Sequence, residues 1–148
     1  MMKYVHTNIV ARDWRSLAQF YVNVFNCEVM APERDLEGKW LDRLTGLKDA
    51  HIRGAHLRLP GYGDNQGPTL EVFQYDAMAP GDTPLATNRP GFAHIAFGVE
   101  DVRASVDRIL AHGGGLLGEI VEARVGERRL TVAYTRDMEG NIVEIQRW

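Results

Sequence analysis

The chain opens on a β-prone run, Tyr4–Ala11, and then changes period. Trp14, Leu17, Ala18, Tyr21, Val24 and Phe25 recur at three- and four-residue spacing, which predicts an amphipathic helix with Asp13 as its N-cap. The same succession returns later. Phe92–Glu100 is β-prone, Asp101 follows, and Val102, Val106, Ile109 and Leu110 form a second helical stripe, stopped by Gly113-Gly114-Gly115. A shift of 88 residues lays His6 on His94, Asp13 on Asp101 and Arg15 on Arg103. The halves also end alike, in short strands with Glu among apolar residues: Thr69–Tyr75 and Asn141–Arg147. Cys27–Met30 and Ile52–Leu59 fill the middle of the first half, the latter running into a turn region at Pro60–Asn65. Leu116–Ile120 and Arg129–Thr135 fill the same slots in the second, and Asp137–Asn141 makes a turn before the last strand. Each half therefore reads strand, helix, strand, strand, strand.

The repeat is imperfect in one place. Glu71 and Glu144 are 73 residues apart rather than 88, so the first half carries 15 extra residues. They fall within residues 32–50, where Glu37–Gly46 has a short helical pattern without a counterpart. Between the halves, Asp76–Gly91 holds Pro80, Pro84 and Pro90 and reads as an extended connector. The expected organisation is one α+β domain over residues 1–148, made of two βαβββ modules (1–75 and 92–148) joined by 76–91.

Composition narrows the function classes. A formal charge of −3 gives no basic excess for nucleic acid or an anionic membrane, and neither is expected as a partner. No apolar run approaches the ~20 residues of a membrane span, and Met1–His6 does not read as a signal peptide. Cys27, the single cysteine of the sequence, suits a reducing cytoplasm and reads as a small buried hydrophobe.

Candidate chemistry sits at the strand centres. By period-two alternation His94 points away from Ala93, Ile95, Phe97 and Val99, the helix-facing set. Glu71 likewise points opposite Leu70 and Val72, and Glu144 opposite Val143 and Ile145. His6 is the repeat-equivalent of His94. Taken singly, each is ordinarily a structural histidine or a solvated strand glutamate. Four at equivalent positions on the uncovered face favour a metal site, because imidazole nitrogen with carboxylate oxygen suits a borderline divalent ion.

Phe92–Asp101 and Asp137–Glu144, with the shorter Leu70-Glu71-Val72-Phe73 and His6-Thr7-Asn8-Ile9, resemble the vicinal oxygen chelate superfamily. It holds glyoxalase I, methylmalonyl-CoA epimerase, extradiol dioxygenases, and fosfomycin- and bleomycin-resistance proteins. The resemblance covers nearly the whole chain. It implies paired βαβββ modules forming a curved mixed sheet around one divalent metal (Zn, Ni, Co or Mn), with His6, Glu71, His94 and Glu144 as ligands. A fourth protein ligand resembles the glyoxalase I and epimerase pattern. That implies a lyase, isomerase or epimerase acting on a small carbonyl or thioester through an enolate, with Glu71 and Glu144 as the acid/base pair. Two alternatives stay open: an extradiol-type dioxygenase, and a non-catalytic protein that binds a small molecule such as an antibiotic. Members are often dimers, so a homodimer is expected. One departure is Met138, where the family's last turn commonly has Pro.

Asn8, Phe73 and Arg89 are the candidate substrate contacts. Arg136 is a second cation for an anionic substrate, and Phe92 and Ile142 are further wall candidates. Trp40 and Leu41, on the extra segment, read as core packing more readily than as a lid. His51 and His56 are read as non-ligands, and His112 as a helix C-terminal residue facing the dipole.

Overall fold

The carboxylate of Asp13 accepts the backbone N–H groups of Arg15 and Ser16, each at 3.1 Å, and so caps the helix its position predicts. In the computed structural model, which describes residues 1–63, 66–81 and 84–148, the chain forms two compact units, Met1–Gly81 and Asp82–Trp148. Asp64 and Asn65 of the expected turn, and Asp82 and Thr83 of the expected connector, lie outside the described residues. Among the described residues no helix is long and apolar enough to cross a membrane.

The first unit contains β1 (His6–Val10), α1 (Trp14–Phe25), β2 (Glu28–Glu37), α2 (Lys39–Thr45), β3 (His51–Arg58) and β4 (Thr69–Tyr75). Its four strands lie in the order β1-β4-β3-β2, with β1 parallel to β4 and the other pairs antiparallel. Leu17, Ala18, Tyr21 and Val24 of α1 are buried against the sheet, whose helix-facing side chains Ala55, Leu57, Leu70 and Val72 are buried as well. Full burial of such side chains contributes about 1.5–3 kcal/mol each, and this layer is the unit's main core.

The opposite face of the same sheet carries a smaller cluster. Leu41 of α2, 1% exposed, packs with Ala50 and Ile52, and Leu36, Phe73 and Tyr75 close around them. Ten of the 15 surplus residues precede His56 and bring α2 onto the face that α1 leaves open; the other five fall between β3 and β4 rather than within 32–50, since Glu71 follows His56 by 15 residues whereas Glu144 follows its partner Tyr134 by 10. Gly54 belongs here too. A Cβ at that position would collide with the Val72 carbonyl oxygen and the Phe73 ring, so glycine is what lets Phe73 lie down on β3.

The second unit contains β5 (His94–Gly98), α3 (Val102–Ala111), β6 (Gly115–Val125), β7 (Arg128–Arg136) and β8 (Ile142–Arg147), in the order β5-β8-β7-β6. Its one parallel pair is β5 with β8, matching β1 with β4. Asp101 caps α3 through Ala104 N–H at 3.0 Å. Val102, Val106 and Ile109 are buried, as are Ala133, Val143 and Ile145 of the sheet. The final turn is pinned by buried Asp137, which accepts from the backbone N–H of Glu139 and Asn141 and from Asn141 Nδ2.

Three local expectations need correction. β2 runs to Glu37 rather than stopping near Met30, and its two pairing segments are separated by an irregularity between Met30 and Arg34. β6 likewise extends past Ile120 to Val125, where Gly126-Glu127 turns it into β7. Leu110 does not join the apolar stripe and is 48% exposed, because the sheet covers a narrower arc of α3 than the spacing suggests.

Candidate functional site

In the first unit, register brings the polar residues together. Asn8 of β1 and His56 of β3 both lie directly across from Glu71 of β4, one on each side. All three strands are central or paired on that side, so Glu71 is drawn in among apolar neighbours and is only 9% exposed. A carboxylate at that depth needs partners, and it has three. His6 Nε2 lies 3.3 Å and Asn8 Nδ2 3.1 Å from Oε2, while His56 Nε2 lies 2.9 Å from Oε1. The rings of His6 and His56 meet edge to face at 5.9 Å, and His56 meets Phe73 in the same way.

His56 has its own supports. Its Nδ1 lies 3.0 Å from Thr69 Oγ1. Burial pushes its pKa below the ordinary histidine value, with Arg34 and His6 acting in the same direction and Glu71 against it. The balance favours a neutral imidazole.

The second unit repeats the frame with different furniture. Glu144 of β8 is flanked by Ala96 of β5 and Tyr134 of β7 at the positions that Asn8 and His56 occupy around Glu71. His94 Nε2 lies 3.0 Å from Glu144 Oε2, and the Tyr134 ring packs edge-on against His94 at 5.2 Å. Among the described residues, Glu144 Oε1 has no polar partner.

The structure therefore pairs His6 with Glu71 in one unit and His94 with Glu144 in the other. Among the described residues no three His, Cys, Asp or Glu side chains are arranged as a ready-made cage for an ion. The donor chemistry nonetheless fits a borderline dication, since each pair presents an imidazole nitrogen and a carboxylate oxygen within 3.3 Å of one another.

The other predicted residues divide. Asn8, expected to meet substrate, is engaged by Glu71. Phe73, expected to wall a pocket, is half-buried between His56 and the α2 cluster. Arg89 is exposed in the turn of residues 87–90, and its side chain has no polar contact among the described residues. Arg136 is not a free cation, because its guanidinium donates to the Gly140 carbonyl at 2.9 Å and the Leu85 carbonyl at 2.7 Å. Ile142 is packed in the core and Phe92 is fully exposed outside β5, so neither stands as a wall. Leu41 is core while Trp40 is half-exposed beside it. His112 caps α3, its Nδ1 lying 2.8 Å from the Arg108 carbonyl. Cys27 is buried and its thiol is pushed up to about 12 by desolvation.

Two residues were missed by sequence reasoning, His56 and its counterpart Tyr134. The available signal was alternation in β3, where Ile52, Gly54 and His56 share a face, but only the pairing register assigns His56 to Glu71.

A family model described as the Glyoxalase/Bleomycin resistance protein/Dioxygenase superfamily matches residues 5–134. The chain belongs to this superfamily. The match spans His6, Glu71 and His94 and stops short of Glu144. A protein of Vibrio parahaemolyticus named "Probable lactoylglutathione lyase" is 25% identical over 144 residues, covering 97% of this chain and 88% of that one. A glyoxalase family protein from Bacillus cereus shares the fold at a TM-score of 0.77 and 22% identity, over 99% of this chain and 92% of that chain. A fosfomycin resistance protein from Listeria monocytogenes, in a structure complexed with Mn(II), is similar at a TM-score of 0.55 and 16% identity, over 98% and 91% of the two chains. The two mixed four-stranded sheets with their helices are the two-module α+β fold of the superfamily.

Proposed function

We propose that this chain is a metal-dependent lyase or isomerase that acts on a small carbonyl or thioester substrate through an enolate, with His6, Glu71, His94 and Glu144 as the metal ligands. The observation that carries this reading is the repeated His–Glu pair, an exposed imidazole beside a largely buried carboxylate at equivalent strand positions in both modules. The Vibrio relative's name supports the lyase side of it. A divalent ion (Zn, Ni, Co or Mn), when bound, supplies Lewis acidity that stabilises negative charge developing on a substrate oxygen.

The protein supplies the proton chemistry. Glu144, whose Oε1 has no partner among the described residues, takes the proton from the carbon beside the carbonyl. Protonated Glu144 then gives that proton back, at the same or the neighbouring carbon. Glu71, ionised and held by Asn8 and His56, is the second member of the acid/base pair and serves as base where the proton leaves from the other side of the substrate. Arg89, exposed and without a polar side-chain partner among the described residues, is the cation we assign to meet an anionic group of the substrate. The cytoplasm, consistent with unpaired Cys27, and a homodimer complete the reading.

Elemental analysis of purified protein, followed by incubation with α-hydroxycarbonyl and thioester compounds in deuterated water, tests it. Metal-dependent deuterium incorporation is expected, and Glu144→Gln should slow it by about 10²- to 10⁴-fold. Exchange at full rate in that variant overturns the assignment. Iron with substrate-dependent oxygen consumption would instead establish the dioxygenase alternative, and tight ligand binding by metal-free protein would establish the binding protein.

A further inference from the structure

His56 is held on three sides. Nε2 contacts Glu71 Oε1 at 2.9 Å, Nδ1 contacts Thr69 Oγ1 at 3.0 Å, and the ring edge meets Phe73 at 5.9 Å with planes 79° apart. Phe73 is in turn packed against the α2 cluster. A carboxylate only accepts, so Nε2 carries an N–H and donates it to Glu71. Nδ1 shares its hydrogen bond with the Thr69 hydroxyl, which can give or take one. Thr69, His56 and Glu71 thus form a chain of hydrogen bonds. Oε1 is occupied by this chain, and Oε2 is the oxygen turned toward His6 and Asn8.

We infer that His56 is a positioning residue for Glu71, which pins Oε1 so that the carboxylate presents only Oε2 to the working site. The inference rests on the proposed function for its catalytic consequence, but not for the hydrogen-bond chain itself. It gives the extra segment of the first module a role, since α2 backs Phe73 and Phe73 backs His56. The second module has no such chain, because Tyr134 and Ile142 stand where His56 and Thr69 would be.

Three measurements on the full chain test this. Nitrogen NMR of the metal-free protein should show His56 protonated on Nε2. An Nε2 without its proton in the folded wild type overturns the inference. Co(II) titration should give the same stoichiometry for wild type and His56→Leu, while the deuterium-exchange kcat of the variant falls about 10- to 100-fold with KM little moved. His56→Gln, which keeps an N–H donor near the same place, should restore most of the rate. Exchange by His56→Leu within about twofold of wild type overturns the inference, as does failure of His56→Gln to exceed His56→Leu. Should wild type bind no Co(II) and exchange no proton, the proposed function falls. The nitrogen spectrum then decides the hydrogen-bond chain alone: a protonated Nε2 upholds it and an unprotonated Nε2 overturns it.

Discussion

The two modules place one glutamate each at the same point of the same strand order, yet treat it differently. Glu71 is surrounded by Asn8, His6 and His56, whereas Glu144 has His94, an alanine and a tyrosine ring. The difference extends outward. Gly54 and Phe73 admit the α2 cluster onto the open face of the first sheet, while Val132 and Gln146 occupy the paired positions in the second. One module is built to hold its carboxylate still, and the other leaves an oxygen available. A repeat of this kind keeps the backbone frame and assigns separate duties through the residues flanking each glutamate.

The largest break in the comparison comes from the segment that only the first module has. Leu41→Ala removes a fully buried side chain from the α2 cluster and should lower the unfolding free energy by about 2–5 kcal/mol in urea titration. Phe73 loses its backing in the same step, so the packing beneath His56 loosens. A loss below about 0.5 kcal/mol would make α2 a surface appendage and dissolve the asymmetry between the modules.

Much of this contrast was legible in the alternation of residues, and some was not. His6, His94, Glu71 and Glu144 announce themselves because period two places each opposite an apolar set, and because the repeat counts them twice. His56 did not, since β3 mixes Arg53, Gly54 and His56 in three consecutive positions and its meaning depends on a partner 15 residues away. β2 was cut short for a related reason. Glu33, Arg34 and Asp35 look like loop residues, but an edge strand can carry charge on the side that solvent reaches. Leu110 shows the opposite error, in which helical spacing is correct but the surface available to cover it is too narrow.

A smaller change makes the first module resemble the second. Asn8→Ala places at β1 the residue that Ala96 already supplies at β5, and removes one of three donors to Glu71. Hydrogen bonds to charged groups contribute roughly 1.5–3 kcal/mol, but His6 and His56 remain, so a loss of about 1 kcal/mol in urea unfolding is expected. No change within error would mean that the imidazoles alone satisfy the carboxylate.

The smallest effect concerns pH and again separates the modules. His51, at the start of β3, places Nε2 2.6 Å from Asp35 Oδ1 and Nδ1 2.7 Å from Asp76 Oδ2, and Arg53 also contacts Asp76. Both ring nitrogens must donate, so the charged imidazolium is favoured, and the hydrogen bonds to Asp35 and then Asp76 raise its pKa. The position five residues before Tyr134, as His51 is five before His56, is Arg129, so the second module has no histidine there. A raised folded value means the contribution is fully present below the ordinary histidine pKa of about 6.5 and is lost as pH climbs through the raised one. Asp76, lowered by Arg53 and then His51, behaves in the reverse sense, contributing above the ordinary carboxylate range and losing that contribution as pH falls through the lowered value. Thermal melts should therefore show wild type losing Tm as pH rises above about 6.5, with His51→Gln flattening that limb and Arg129→Gln leaving it in place. Parallel curves for wild type and His51→Gln would show that the clamp carries no stability, and that the pH response arises elsewhere in the fold.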